Sequence, residues 1–396
     1  MEHITVKAAA DKWGISVRRV QNLCAQGRVP GVISVAHTWM IPANAEKPAD
    51  PRRNTELHRQ MLLAELISNL DAIAEPMPKD NPDAILKTAR NELIRRQFET
   101  TLAYLRGDFG FVLKSFDEAQ GNDIAKGCIA PFAIAAAVSL GKFEISLKIE
   151  DYYRNRIQNG PKDAIAHIEE LTLSSAAISA IAPSRVPEWI SRGDFSSLPV
   201  SLLTDAFQKR SRYLLSINQP EAALAVAETA LSLCPSDKGI TFSGIYLRLN
   251  CASACFVLMR MEECKVWLLE TADICLPHGF ITPFSEMITG YGGLAEECIR
   301  LTCPDRLSAV LRQCEQTIKN WITYHNCFTQ ENIPIILSMR EIHIAQLAAR
   351  GLSYAKIAEQ QGVSVAAIKK NLQKIYAKLF VSNRTELTAL ISYRYP

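Results

Sequence analysis

The chain has 396 residues, of which 48% are apolar and 21% charged, and its formal net charge is +3. This length predicts about two to four folding units, and so ordinary a composition excludes a mostly disordered or fibrous chain. The longest apolar run, Cys128–Gly141, has fourteen residues and contains Pro131. It is too short to span a bilayer, so we expect a buried helix there and no membrane association.

Charge is distributed unevenly along the chain. Residues 1–53 hold eight Lys/Arg and four Asp/Glu, and residues 337–396 hold nine and three, so the ends carry +4 and +6 and the middle carries −7. Basic ends on an acidic body are typical of a protein whose ends bind a polyanion.

The N-terminal stretch Ala10–Val20, ADKWGISVRRV, has the spacing of two helices joined by a tight turn. Such a turn needs a small residue at the helix contact, a residue that tolerates positive φ, a capping hydroxyl and a branched apolar residue that returns to the core. Four residues fill these roles in order: Ala10, Gly14, Ser16 and Val20.

The residues that follow, Gly27–Pro42, predict a short hairpin with Trp39 and Ile41 packed on the helices. With this hairpin, residues 1–53 resemble the winged helix-turn-helix of MerR and excisionase proteins. The resemblance implies that the second helix faces DNA through four polar residues, which are Arg18, Arg19, Gln21 and Asn22. The wing carries little positive charge, since only Arg28 and His37 are basic or can become so. A protein-binding or structural role is therefore the alternative for this unit.

A Pro-rich, charged stretch, Ile41–Asn54, predicts a linker before the body, residues 54–330. Apolar residues recur there at three- and four-residue spacing, so we expect helices throughout. Two segments recur at offsets of 34 and 42 residues, namely Gly107–Lys114 as Gly141–Lys148 and Glu221–Pro235 as Glu263–Pro277. Such periods are typical of stacked helix pairs and resemble tetratricopeptide arrays; a non-repeating helical bundle is the alternative.

The C-terminal stretch Ala358–Ile368, AEQQGVSVAAI, repeats the spacing of the N-terminal turn. The equivalent residues are Ala358, Gly362, Ser364 and Ile368, so residues 337–396 contain a second helix-turn-helix. Four helix starts are indicated by residues that can cap them: Ser338 with Glu341, Ser353, Ser364, and Asn383 with Glu386.

The recognition helix of this second unit has two different faces. One face is apolar and is made by Ile368, Leu372, Ile375 and Leu379, and the other is polar and is made by Lys369, Lys370, Gln373 and Lys374. Residues Leu337–Ile391 resemble the LuxR-type DNA-binding domain. The resemblance implies that Lys369, Lys370 and Gln373 reach base edges, while other basic and hydroxyl groups hold phosphates. Ser364 and Lys374 complete the expected DNA-binding set.

The resemblance to the LuxR-type domain has two departures. The family usually has Thr, Val, Lys, any residue and His where this chain has Ala367–Asn371, and Gly where it has Phe380. The second change alters the expected end of the recognition helix, because a left-handed C-terminal residue is usually Gly.

The sequence carries no phosphate-binding loop, nucleophile elbow, zinc-protease motif or EF-hand. Its eleven cysteines form no C-x-x-C pair, and no signal peptide is present, so we expect a cytoplasmic protein. Cys251 and Cys255, four residues apart, could sense thiol oxidation, but core packing is the favoured interpretation.

We therefore expect a mainly all-α chain: an N-terminal winged helix-turn-helix with a small β-hairpin, a tetratricopeptide-like body and a C-terminal four-helix LuxR-type domain. The expected function is bacterial transcription regulation without enzymatic activity or cofactor. The expected partners are double-stranded DNA, bound as a homodimer through the last helix, and a protein or small-molecule effector on the body. The alternative is an interaction scaffold whose tail binds nucleic acid without regulating transcription.

Overall fold

The computed structural model describes residues 3–35, 38–48, 51–119, 123–159, 164–180, 182–233, 239–291, 293–329, 337, 339–379 and 381–391. Contacts divide the chain into two compact units, Met1–Glu65 and Leu66–Pro396.

The first unit places two helices against a small antiparallel sheet. Its elements are β1 (His3–Thr5), α1 (Val6–Trp13), α2 (Val17–Ala25), β2 (Ile33–Val35) and β3 (Thr38–Pro42). The strand order is β1-β3-β2, with Met40 of β3 opposite both Thr5 and Ile33. The predicted hairpin is the β2–β3 pair, whereas β1 was not predicted because three residues are too few to show alternation.

The core of the first unit lies between the helices and the sheet. It contains Val6, Ala9, Ala10, Trp13, Val20, Leu23, Cys24, Val29 and Ile41. Ile41 is fully buried and Trp39 packs partly buried against this core, as the hairpin prediction required. His37, which the sequence places in the wing, lies outside the described residues.

The linker predicted over Ile41–Asn54 is shorter in the structure. Its first two residues end strand β3, and helix α3 (Pro51–Ile73) begins inside it. Pro51 is the first residue of α3, a position where proline is favoured because its fixed φ suits a helix and its missing N–H is not needed. The division between the two compact units falls within α3, after Glu65, and the domain bounds 1–53, 54–330 and 337–396 stay predictions.

The second unit is built from helices. They are α4 (Ile85–Thr88), α5 (Glu92–Arg106), α6 (Phe109–Glu118), α7 (Asp123–Ser139), α8 (Phe143–Asn159), α9 (Ala164–Ser179), α10 (Glu188–Arg192), α11 (Val200–Ser216), α12 (Pro220–Leu233), α13 (Phe242–Val257), α14 (Met261–Cys275), α15 (Thr282–Met287), α16 (Leu294–Thr302), α17 (Pro304–Thr329), α18 (Met339–Ala349), α19 (Tyr354–Gln360), α20 (Val365–Leu379) and α21 (Arg384–Ile391). Short 3-10 turns lie at Pro82–Ala84, Pro183–Arg185, Leu276–His278 and Ile288–Tyr291.

The recurring segments occupy similar places in this unit. Gly107 and Gly141 have φ of 84° and 71° and lie two residues before the starts of α6 and α8. The second pair of segments covers α12 and α14, which pack on α11 and α13. The helices of the body were thus predicted, while their membership of a tetratricopeptide array stays a prediction.

One apolar core runs through the second unit from the body to its last helices. It includes Leu102, Leu247, Leu268, Ile299, Ile344 and Ile368. Cys251 and Cys255 are fully buried in it, and burial raises the pKa of the Cys255 thiol to about 11, so both pack in the core as expected. The apolar run Cys128–Gly141 forms most of α7, with Pro131 inside the helix. Among the described residues, no helix combines the length and apolarity needed to cross a membrane.

Candidate nucleic-acid interface

The turn between α19 and α20 closes around a left-handed glycine. Gly362 has φ of 59°, and its N–H donates to the Glu359 carbonyl at 3.2 Å. The next N–H, from Val363, donates to the Ala358 carbonyl at 3.0 Å. These two bonds satisfy carbonyls that the end of a helix leaves free, and they fix the angle at which α20 departs.

The turn between α1 and α2 has the same geometry. Gly14 has φ of 63°, and Ile15 N–H donates to the Ala10 carbonyl at 3.1 Å. At both glycines an added Cβ would meet no atom within 4 Å, so only the backbone conformation requires glycine. The repeated spacing in the sequence therefore corresponds to one turn geometry, used twice.

Helix α20 presents the expected polar face to solvent. The Ser364 hydroxyl caps it by accepting the Ala367 N–H at 3.2 Å. The apolar residues Ile368, Leu372, Ile375 and Leu379 are buried, whereas Ser364, Lys369, Lys370, Gln373 and Lys374 are exposed. All five residues predicted to bind DNA in this domain thus lie on accessible positions of one helix and its cap.

Some basic residues of the C-terminal helices make contacts within the fold, and others are exposed to solvent. Lys378 pairs with Glu341 at 2.7 Å, and Arg384 donates to the Ala348 and Leu352 carbonyls, both at 2.6 Å. By contrast, four lysines are exposed and make no ion pair with any described residue, and these are Lys356, Lys369, Lys370 and Lys374. Among the C-terminal side chains that the structure describes, the accessible positive charge is therefore concentrated on α19 and α20.

The predicted helix starts agree with the structure where it describes them. Ser353 Oγ accepts the Lys356 N–H at 3.3 Å. Asn383 and Glu386 cap α21 reciprocally, with Glu386 N–H donating to Asn383 Oδ1 at 2.9 Å and Asn383 Nδ2 donating to Glu386 Oε1 at 2.7 Å. Ser338 and Phe380 lie outside the described residues.

Helix α2 of the first unit also divides into two faces. Val20, Leu23 and Cys24 are buried, and the four predicted DNA-binding residues, Arg18, Arg19, Gln21 and Asn22, are exposed. Ser16 caps the helix by accepting the Arg19 N–H at 3.3 Å. Lys12 instead donates to the Ala43 carbonyl at 2.6 Å, so its ammonium group stabilises the first unit.

The C-terminal helices are joined to the body by a contact that sequence reasoning missed. The Arg350 guanidinium lies 4.1 Å from the centroid of the Phe256 ring and donates to the Gly290 carbonyl at 3.4 Å. Burial lowers the pKa of Arg350 to about 10. No pattern in the sequence signals this contact, because Gly290 lies 60 residues before Arg350.

A second buried contact lies in the same joint between α18 and the body. His343 Nδ1 is 3.4 Å from Glu296 Oε1, and both side chains are buried. Burial lowers the pKa of His343, and the Glu296 carboxylate opposes that effect. Because burial is the larger cause, His343 is neutral at neutral pH and the contact is not an ion pair. We call the Arg350 and His343 contacts together the α18 joint.

No group of three or more His, Cys, Asp or Glu in the described part of the chain could hold a metal ion. The accessible features of the described C-terminal helices are a capped turn and a cationic helix face, which are the features that helix-turn-helix domains use to bind phosphates and base edges.

Comparison with known proteins agrees with this geometry. Residues 335–391 match the family model described as bacterial regulatory proteins, luxR family. The "Monoamine regulon transcriptional regulator" of Klebsiella aerogenes is 35% identical over 85 residues, which make up 21% of this chain and 35% of that protein. The chain thus spans about a third of the length of the curated relative that it matches. The C-terminal helices form a LuxR-type helix-turn-helix domain, which confirms the resemblance drawn from the sequence for that region.

Proposed function

We propose that the protein is a sequence-specific, DNA-binding transcription regulator that reads double-stranded DNA through α20. The observation that carries this proposal is the exposed face of Lys369, Lys370, Gln373 and Lys374 on the capped second helix of a LuxR-type domain. The matched relative is itself named a transcriptional regulator, which favours regulation over a scaffold role.

Each polar residue of α20 has a role in this proposal. Lys369, Lys370 and Gln373 donate to base edges in the major groove, where lysine favours guanine and glutamine favours adenine. Lys374 and Ser364 bind phosphates and set the register of the helix on the duplex.

The remaining parts of the chain complete the regulator. The first unit is a second reader, whose α2 contacts DNA through Arg18, Arg19, Gln21 and Asn22. The helical body senses an effector, and two copies bind DNA together through α21. The α18 joint supports this assignment, because it gives the body a direct contact with the DNA-binding domain.

A DNA selection experiment tests the proposal. The full-length chain selects its preferred duplex from a random library, and the affinity of variants is then measured on that duplex and on random DNA. We expect Lys369→Ala to lose roughly 1–3 kcal/mol on the selected duplex and much less on random DNA. Lys148→Ala, which removes an exposed lysine from α8 of the body, is the matched control. An equal loss on both duplexes would make Lys369 a phosphate contact, and no loss would remove the proposed docking of α20.

A further inference from the structure

A cation in the helical body has no partner among the residues that the structure describes. Arg212 lies on α11, is only partly exposed, and makes no hydrogen bond or ion pair with any described residue. Burial lowers the pKa of its guanidinium, and the nearby Tyr291 and Glu286 oppose that effect. Guanidinium has five N–H donors, and native structures seldom enclose such a group without acceptors.

A carboxylate held by two tyrosines interacts electrostatically with Arg212. Glu286, on α15, accepts the Tyr104 hydroxyl at 2.5 Å through Oε1 and the Tyr246 hydroxyl at 2.6 Å through Oε2. The pKa of Glu286 is raised, because burial outweighs the two hydrogen bonds and the charge of Arg212, which oppose the rise. Arg212 and Glu286 act on each other electrostatically, and no ion pair joins them within the described part of the chain.

Aromatic rings and an amide extend this cluster. The rings of Tyr104, Phe132, Phe242 and Tyr246 follow one another with centroids 5.3, 5.0 and 4.8 Å apart, and Phe132 and Phe242 are partly exposed. Asn250 is fully buried, and its Nδ2 donates to the Gln208 carbonyl, one helical turn before Arg212. Its Oδ1 has no hydrogen-bond partner among the described residues.

We propose that this cluster binds a zwitterionic amino acid with an apolar or aromatic side chain. Arg212 takes the carboxylate, Glu286 takes the ammonium group, and the partly exposed rings pack against the side chain. A simple anion would be repelled by Glu286 and a simple cation by Arg212, whereas a zwitterion matches both charges and leaves the site neutral. The inference rests on the proposed role of the body as a sensor and names the class of effector.

The position of the cluster explains how a ligand bound there would affect the DNA-binding domain. Glu286 is four residues before Gly290, whose carbonyl accepts the Arg350 guanidinium of the α18 joint. Tyr291, which acts on the charge of Arg212, packs edge-on against Phe256 at 6.2 Å, and Phe256 is the ring under Arg350. A ligand held between Arg212 and Glu286 thus contacts the segment that carries the joint.

Calorimetry on the full-length chain without DNA tests this inference. The probes are the twenty standard amino acids, and the tightest binder is then compared with its decarboxylated amine and its deaminated acid. We expect each analogue, which lacks one of the two charges, to bind at least tenfold more weakly than the amino acid. Arg212→Met should remove the advantage over the amine, and Glu286→Gln should remove the advantage over the acid.

Controls separate binding from folding. Arg300→Met, which removes an exposed arginine from α16, should bind like the parent. Arg212→Lys keeps the charge and should retain part of the affinity, and the melting temperature of Arg212→Met shows whether that variant is folded. If no standard amino acid binds, if the acid binds as tightly as the amino acid, or if Arg212→Met binds unchanged, the inference is overturned. DNA binding is measured separately and can succeed in each of these cases.

Discussion

His343 is a buried, neutral side chain whose protonation opposes folding. Burial lowers its pKa in the folded chain, so the unfolded chain, with an imidazole pKa of about 6.5, takes up the proton more readily. The stability that depends on neutral His343 is therefore present above about pH 6.5 and is lost as the pH falls below it.

The loss of stability below about pH 6.5 gives a prediction for thermal unfolding at two pH values. Between pH 7.5 and pH 5.5 the parent chain should lose thermal stability, and His343→Gln should lose less, since glutamine does not titrate. The measurement is the difference between the two melting temperatures for each variant. His278→Gln, outside the α18 joint, is the control and should behave like the parent. An identical pH dependence in parent and His343→Gln would show that His343 does not titrate with unfolding.

The left-handed backbone of Gly362 allows a prediction about stability that rests on backbone strain alone. A valine at φ of 59° costs about 1–2 kcal/mol or more, although its Cβ would meet no neighbouring atom. We expect Gly362→Val to lower the free energy of unfolding of the full chain and to weaken DNA binding in proportion. Gly362→Asn is the matched variant and should be milder, because asparagine tolerates this region. If Gly362→Val unfolds like the parent but no longer binds DNA, the side chain acts at the DNA surface and not through the turn.

Single residues differ in how far their roles could be predicted. The capping serines and the left-handed glycines follow from local spacing, because their partners lie within five residues. Arg350 and Arg384 are two of the nine basic residues that make residues 337–396 positive in the sequence, yet their guanidinium groups donate to backbone carbonyls. Their carbonyl partners lie 32 to 60 residues away, and no local pattern identifies such pairs.

Helices were easier to predict than strands. The face of α20 follows from apolar residues at helical spacing over fifteen residues, whereas β1 has three and shows no usable period. The first four residues of α3, Pro51–Asn54, were assigned to a linker because that stretch is rich in proline and charge, although a proline at the first helical position is compatible with a helix. The polar face of α2 in the first unit and that of α20 in the second were therefore predictable, and the α18 joint and the contacts around Arg212 were not.

Helix α2 makes a prediction about salt dependence. If Arg18 and Arg19 bind phosphates, replacing both by alanine should weaken binding of the full chain to its selected duplex. The slope of log affinity against log salt concentration should flatten by up to about two units. Lys7→Ala, which removes an exposed charge from α1, should change the slope less. An unchanged slope, with the first unit still folded, would favour a protein-binding role for that unit.

At the scale of the second unit, the body and the DNA-binding helices share one core. Arg350→Ala would uncover the Phe256 ring and remove the donor to the Gly290 carbonyl. A desolvated cation–π contact is worth about 2 kcal/mol, so we expect a clear loss in the free energy of unfolding. Arg350→Lys keeps the charge without the planar stack and should lose less. DNA affinity should change little in Arg350→Lys, because the exposed face of α20 lies outside the joint. If the parent, Arg350→Ala and Arg350→Lys all unfold at the same denaturant concentration, the contact of Arg350 with Phe256 and Gly290 does not stabilise the chain.

The α18 joint also has a geometric consequence for operators. A reading helix on a loose tether accepts half-sites at many separations, whereas one anchored to a large body is presented at a set distance and angle. Two copies of the chain on one duplex would therefore tolerate few separations between half-sites. Inserting half a turn of DNA, about five base pairs, would place the second half-site on the opposite side of the duplex and abolish paired binding. Inserting a whole turn would return the second half-site to the same side of the duplex as the first but leave it farther away.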